Sequence, residues 1–280
     1  MRRSIYSLLV LPVIAACATV GGSGSDGNMA LAYTVPSSGT LRYEVTDNMV
    51  IQIDAMGQVM EIPQVGSATI GMTFAQTEGG VRVTTDWEAW ESVMSNPMGA
   101  PERGSLNDVD GSLIFDMSRT GAGTVVQLPD MRGMSENLLD PESIVHSFFP
   151  RLPARAATAG MTWTDTIAYV SERAGTYSDI TTVAEYMVVG DTTVAGKRLL
   201  RVNYTGVESM EMEGAQMGMS FTQSAGGNSR GWFLWDQATG VMVENHFEAD
   251  IEGLMETDAI PVPLPMMISL RKTIRLLPGM

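Results

Sequence analysis

The sequence predicts a mainly β fold: a large curved antiparallel sheet, a half-barrel or open barrel, built from two similar β-meanders with one or two short helices. Three observations carry this. Apolar and polar residues alternate at period two along much of the chain, which is the pattern of strands with one wet face. Helical periodicity is scarce. A short internal similarity relates the two halves. The 280 residues are 44% hydrophobic and 18% charged, enough for a sizeable core.

The N-terminal "MRRSIYSLLVLPVIAAC" has two arginines, a short apolar run and then small residues, the layout of a secretory signal peptide. Its apolar run, Ile5 to Ala16, is shorter than the roughly 20 residues a spanning helix needs. Ile14-Ala15-Ala16-Cys17 resembles the lipobox of bacterial lipoproteins. That resemblance implies cleavage before Cys17 and acylation of its thiol, with palmitate-type chains holding the protein to a membrane. It makes residues 1–16 a lipoprotein signal peptide and 17–38 the acylated cysteine with a flexible tether. "ATVGGSGSDGN" (Ala18 to Asn28) has the Gly/Ser content of a random coil. By the same resemblance, Ala18 after the cysteine favours the outer membrane of the cell envelope. Cys17 is the sole cysteine, so an internal disulfide, a cysteine-based zinc site and a cysteine nucleophile are all excluded.

Residues 39–280 are expected to form one β-rich domain, with halves at about 39–140 and 160–280. Leu41, Tyr43 and Val45 alternate with polar residues, as do Met49, Ile51 and Ile53. Ile70, Met72 and Phe74 lead into a turn at "TEGG" and then Val81 and Val83. Leu113, Phe115 and Met117 follow, and later Leu200, Val202 and Tyr204. Val241, Val243, Phe247 and Ile251 alternate with Glu244, His246, Glu248 and Asp250. "DPESIVHSFF" predicts a helix: Asp140 caps it, Pro141 suits its first position and Pro150 stops it. A second helix is expected at Asp86–Met94, "DWEAWESVM". Pro150 and Pro153 lie between the halves.

"IDAMGQVMEI" (Ile53–Ile62) aligns with "MEMEGAQMGM" (Met210–Met219), setting Gly57 on Gly214 and Met60 on Met217. With a tight loop at Glu213–Gln216, Met212 would pair with Met217 and Met210 with Met219, placing four thioethers and Phe221 on one face. Thioethers select Cu(I). The outward carboxylates of Glu211 and Glu213 instead fit an ordinary apolar-in, polar-out strand, with Met210, Met212, Met217, Met219 and Phe221 lining a core or a ligand pocket. Methionine is flexible and polarizable and suits surfaces that adapt to varied apolar partners. A filled core and an open ligand-lining face both remain as readings.

Charge limits the partners. Lys+Arg is 17 against 32 Asp+Glu, a net charge of −15, and loss of Arg2 and Arg3 with the signal peptide makes it −17. This argues against nucleic acid and against electrostatic docking on anionic lipid. No catalytic constellation, metal site or cofactor motif emerges. The two histidines are far apart: His146 packs or caps the expected helix, and His246 belongs to a solvated strand face. "SLRK" (Ser269–Lys272) matches Ser-x-x-Lys but alternates like a strand and has no Lys-Thr-Gly partner. "NDVDGS" (Asn107–Ser112) resembles a calcium-loop fragment with its glycine too early and no glutamate at the twelfth position, which leaves a β-turn.

"MEMEGAQMGMSF", "GWFLWDQATGVMVE" and "FPRLPARAATAGMTW" together resemble a family of uncharacterised secreted bacterial proteins, a domain of unknown function. In that family an apolar strand ends in an Asp-x-x-x-Gly turn, here Asp236 to Gly240. The resemblance spans most of residues 39–280. By analogy such chains look like the half-barrels of lipoprotein-sorting and lipid-carrier proteins, which bind acyl chains on a concave face. It implies a non-catalytic binding module for an apolar ligand or lipid. A structural protein facing another envelope component is the alternative.

Overall fold

In the computed structural model, the described residues are 31–97, 99–153, 155–216 and 219–278. Cys17, the signal peptide and Met217 lie outside them. In chain order the elements are β1 (Thr40–Ala55), β2 (Gln58–Gln76), β3 (Gly80–Met94), β4 (Glu102–Ser105), β5 (Val109–Asp110), β6 (Leu113–Ser118), β7 (Gly123–Gln127) and β8 (Asp130–Met131). Two short helices follow, α1 (Ser135–Leu138) and α2 (Pro141–Ser147). The remaining strands are β9 (Thr162–Arg173), β10 (Thr176–Val194), β11 (Lys197–Gln216), β12 (Met219–Asp236), β13 (Val241–Thr257) and β14 (Ile260–Leu276).

The main sheet runs β7-β6-β3-β2-β1-β14-β13-β12-β11-β10-β9, all neighbours antiparallel, with β4 added beside β3. Two meanders therefore meet at one seam, where the first and last long strands pair from Tyr43 opposite Leu276 to Ile53 opposite Met266. The edges are β7 and β9, and helix α2 lies against both. The sheet is thus rolled into a curved half-barrel with the helix closing its gap. The segment after the helix spans the same gap. Leu152 N–H donates to Thr120 O and Arg151 donates to Gly121 O on one side, and Trp163 Nε1 donates to Arg151 O on the other.

Local chemistry sets the elements. Asp140 accepts from Glu142 N–H at 3.1 Å, and Pro141 occupies the first turn, so α2 starts where its cap and fixed φ require. Tight hairpins sit at Met56-Gly57, Ala174-Gly175 and Ala195-Gly196, each with both central φ positive, the two-residue turn whose twist matches paired strands.

The core fills one end of the trough. Tyr43, Phe115, Val202, Phe233 and Trp235 come from the sheet, and Phe148 and Phe149 descend from the helix end. Rings meet edge-on, Tyr33–Phe149 at 5.3 Å and Tyr43–Phe148 at 5.3 Å. Leu31 and Tyr33 are buried there too, and Tyr33 Oη donates to Pro150 O at 2.8 Å. Both residues lie ahead of residue 39 in the sequence. A second cluster of Ile53, Leu264, Met266 and Ile268 lies farther along the same face.

Three expectations are corrected. Asp86–Met94 is part of β3, not a helix. A bulge makes Ile70 face Trp87 and Thr69 face Ala89, so Glu88 is an extra residue. The bulge flips the alternation, and Trp87 and Trp90 both point inward at a spacing that mimics a helix face. A similar shift between Leu234 and Trp235 leaves Val243 unpaired, and Met242, not Val243, is the deeply buried residue there. The methionine hairpin exists in another register. Met210 faces Ala225, Met212 faces Gln223, and the last pair is Gln216 with Met219. Gly214 is a strand residue, and a Cβ there would lie 3.1 Å from the ring of its partner Phe221. The Glu213–Gln216 loop that would have gathered the four sulfurs is strand instead. The alignment of Gly57 with Gly214 does not hold, since Gly57 lies in a turn and Gly214 within β11.

One motif reading stands, the strand at Ser269–Lys272, and the β-turn expected at Asn107–Ser112 is replaced by shorter elements. Ser269–Lys272 is extended within β14. Asn107–Ser112 forms a 3-10 turn, a two-residue strand and a bend at Gly111, φ +84°.

Candidate ligand-binding site

Alternation gives the sheet two chemically opposite faces. The outward face carries paired charges: Arg82 donates to Asp116 at 2.7 and 2.8 Å, Arg230 to Glu248 at 3.0 and 2.6 Å, and Arg42 pairs with Glu88. Glu211 points outward as expected, accepting from Ser224 at 2.7 Å. His246 also lies on this face, bonded to Glu244 at 2.9 Å and stacked on Trp232 at 4.1 Å. Burial works to raise the Glu244 carboxyl, but hydrogen bonds from His246 and Arg275 override it and hold it below the usual range. No helix among the described residues is long and apolar enough to cross a membrane. A transmembrane barrel turns its apolar band outward. Here the polarity is the reverse, with the apolar face inside.

Between α2 and the inner face of β9–β14 lies a cavity of about 270 Å³. Its apolar wall comes from Met49 of β1, Ile180 of β10, Met210 of β11, Phe247 and Ile251 of β13 and Ile268 of β14. Ser143 and Ser147 border it from the helix, yet their hydroxyls donate back to Asp140 O and Ser143 O and leave that wall apolar in character. A second cavity of about 350 Å³ lies on the other flank of α2, between the helix and Trp87, Trp90 and Gln64. Met49, Ser143, Ser147, Leu270 and Lys272 border both.

Tyrosines finish the walls. Tyr204 Oη donates to Asn245 Oδ1 at 2.9 Å and His246 O at 3.0 Å, and Tyr186 stacks on Trp163 at 5.0 Å. Burial pushes the Tyr186 phenol up to about 12 and raises Tyr204 and Tyr169 as well, so all three stay neutral. His146 in the last turn of α2 stacks on Tyr169 at 4.6 Å, which fulfils the packing role expected of it. Among the described residues no group of three or more His, Cys, Asp or Glu could hold a metal ion.

The expected lining residues divide. Met210 borders the main cavity. Met212 and Phe221 share its face nearer the hairpin rim and border shallow grooves there instead. Met219 is described only through its pairing with Gln216. The trough is filled by aromatics at one end, and Met210 borders the cavity under the helix.

Sequence reasoning missed charged residues on the inner face, among them Asp47, Glu208 and Lys272. The signal was available. Even-numbered positions from Leu200 to Gly214 are apolar, aromatic or glycine except Glu208, and those from Leu264 to Leu276 are apolar except Lys272. Asp47 and Lys272 face each other across β1 and β14. Glu208 is 8% exposed and faces Thr182 and Gly227, with no cation across either strand.

No protein-family model and no curated protein matches the chain. Among solved structures, the β domain of the Bordetella autotransporter BrkA is 11% identical over 85% of this chain and 99% of its own, at a TM-score of 0.26. Pseudomonas aeruginosa OccK9 is 8% identical over 86% and 99%, at 0.26. A DUF1329 family protein from Desulfovibrio piger is 11% identical over 85% and 87%, at 0.16. Scores this low carry no argument about function.

Proposed function

We propose that this chain is an envelope-anchored lipoprotein whose curved sheet binds an apolar ligand, an acyl chain or lipid, without chemical conversion. The observation that carries the reading is the apolar cavity between α2 and the inner face of the sheet, lined by Met49, Ile180, Met210 and Ile268. Apolar volume without contacts forfeits dispersion energy, so a ligand placed there would be favoured. Flexible thioethers in the wall suit a chain of variable shape. The acyl anchor at Cys17 supplies the membrane contact, and the Gly/Ser segment after it supplies reach.

Native mass spectrometry of full-length protein extracted gently from its own host tests the ligand. A mass excess that leaves as a lipid on activation is the expected result. A chain that carries no lipid and binds none added back would favour the structural alternative. Cys17→Ser tests the anchor: it should leave the precursor uncleaved or release the protein from the membrane fraction. Normal processing and membrane attachment of that variant would sink the lipoprotein reading.

A further inference from the structure

We propose that Glu208 anchors the polar head of the bound amphiphile, and that this head is a hydrogen-bond donor, a hydroxyl or a protonated amine. The inference rests on the apolar-ligand reading above and names the class of head that the site selects.

Glu208 borders the cavity beneath α2 and is 8% exposed. Its Oε2 accepts from the Thr182 hydroxyl, while its buried Oε1 has no hydrogen-bond partner among the described residues. A buried carboxylate oxygen without a donor is costly. Three polar side chains of the wall are committed elsewhere: Tyr204 donates to Asn245 and to His246 O, and Ser143 and Ser147 bond their own helix. Gly206, two residues back on the same face, and Gly227, directly across β12, put no side chain beside the carboxylate. Asp47 and Lys272 are register partners across the seam, and no cation is a register partner of Glu208 on either neighbouring strand. Glu208 is left as the acceptor that the wall does not satisfy, beside apolar Met210, Ile180 and Ile251. An amphiphile with its tail along these residues and a donor head at Glu208 would complete the carboxylate's shell with a charge-assisted hydrogen bond.

Calorimetric titration of the purified full-length chain with dodecylamine, dodecanol and dodecanoate, each below its micelle-forming concentration, tests this. The amine and the alcohol should bind at least about tenfold more tightly than the carboxylate, which meets Glu208 as a like charge. In Glu208→Gln the amine should lose about tenfold or more, and dodecanoate should gain. The relative order of the two donors identifies which source the site prefers. Equal binding of all three, unchanged in Glu208→Gln, would overturn the role of Glu208 and leave the apolar trough standing. Tightest binding of dodecanoate, lost in Lys272→Met, would overturn it in favour of an anionic head. Failure of all three to bind would remove the apolar-ligand reading itself. The comparison of heads on the unaltered chain stands even if a variant folds poorly.

Discussion

At the scale of single residues, burial and one nearby charge decide which groups titrate. His146 stacks on Tyr169, and burial, then repulsion from Arg151, holds its imidazole below the usual value, with Asp140 pulling weakly the other way. The unfolded chain takes up that proton near pH 6.5 and the folded chain resists it. Protons therefore favour the unfolded state. Stability from this residue is intact above about pH 6.5 and is lost as pH falls through the depressed folded value. His146→Phe keeps an aromatic ring on Tyr169 and removes the titration. Thermal melts from pH 7.5 to about 5 should show a drop for the wild type and a flatter profile for the variant. Parallel profiles would mean that His146 does not contribute to the acid sensitivity.

At the scale of elements, helix α2 closes the half-barrel, and its seat depends on what is missing opposite it. A Cβ on Gly123 of β7 would collide with Val145 O and lie 2.7 Å from Val145 Cγ1. The strand's glycine thus lets the helix approach the sheet edge. Gly123→Ala should push α2 outward, cost roughly 1–3 kcal/mol of the kind overpacking produces, and weaken ligand binding, because Ser143, Ser147 and Phe149 all border the cavity. Urea unfolding gives the first number and a titration the second. A variant with wild-type stability and binding would show that the helix position tolerates the shift. Asp140 works from the other end of the same element, capping α2 at Glu142 N–H and lying 3.8 Å from Arg173 of β9.

At the scale of the molecule, the two meanders are joined by the pairing of β1 with β14 and share one core. The main core draws Tyr43 and Phe115 from the N-terminal meander and Val202, Phe233 and Trp235 from the C-terminal one. Tyr43 Oη donates to Met242 O at 2.9 Å across that join. Neither half can cover its apolar face alone. A fragment of residues 31–140 should lack a cooperative unfolding transition and aggregate, whereas residues 31–280 should unfold in one transition. Cooperative unfolding of the isolated fragment would mean that each meander has its own core. Pairing of strands so distant in sequence also predicts slow folding, in the millisecond to second range or beyond.

The sequence by itself determined the secondary structure class, most strands and their inward residues, and the helix with its cap. These follow from local rules: period two places side chains on alternate faces, and Asp-Pro starts a helix wherever it stands. It also determined that Met210, Met212 and Phe221 share a face and that Glu211 does not, because parity survives an error in register when each partner shifts by an even number of residues, as from position 217 to Gln223 opposite Met212. Only the tertiary structure decided the rest. The strand at Asp86–Met94 looked helical because a bulge at Glu88 breaks parity, and bulges arise from what the neighbouring strand requires. The methionine hairpin pairs in a later register than expected, with Gly214 opposite Phe221, a cross-strand match invisible in one strand's pattern. The seating of Leu31 and Tyr33 in the core, the cavity under α2 and the isolation of Glu208 are decided by the same means. Each depends on how far the sheet curls and on which strands the curl brings opposite the helix, and curvature is a property of the whole sheet, not of any residue in it.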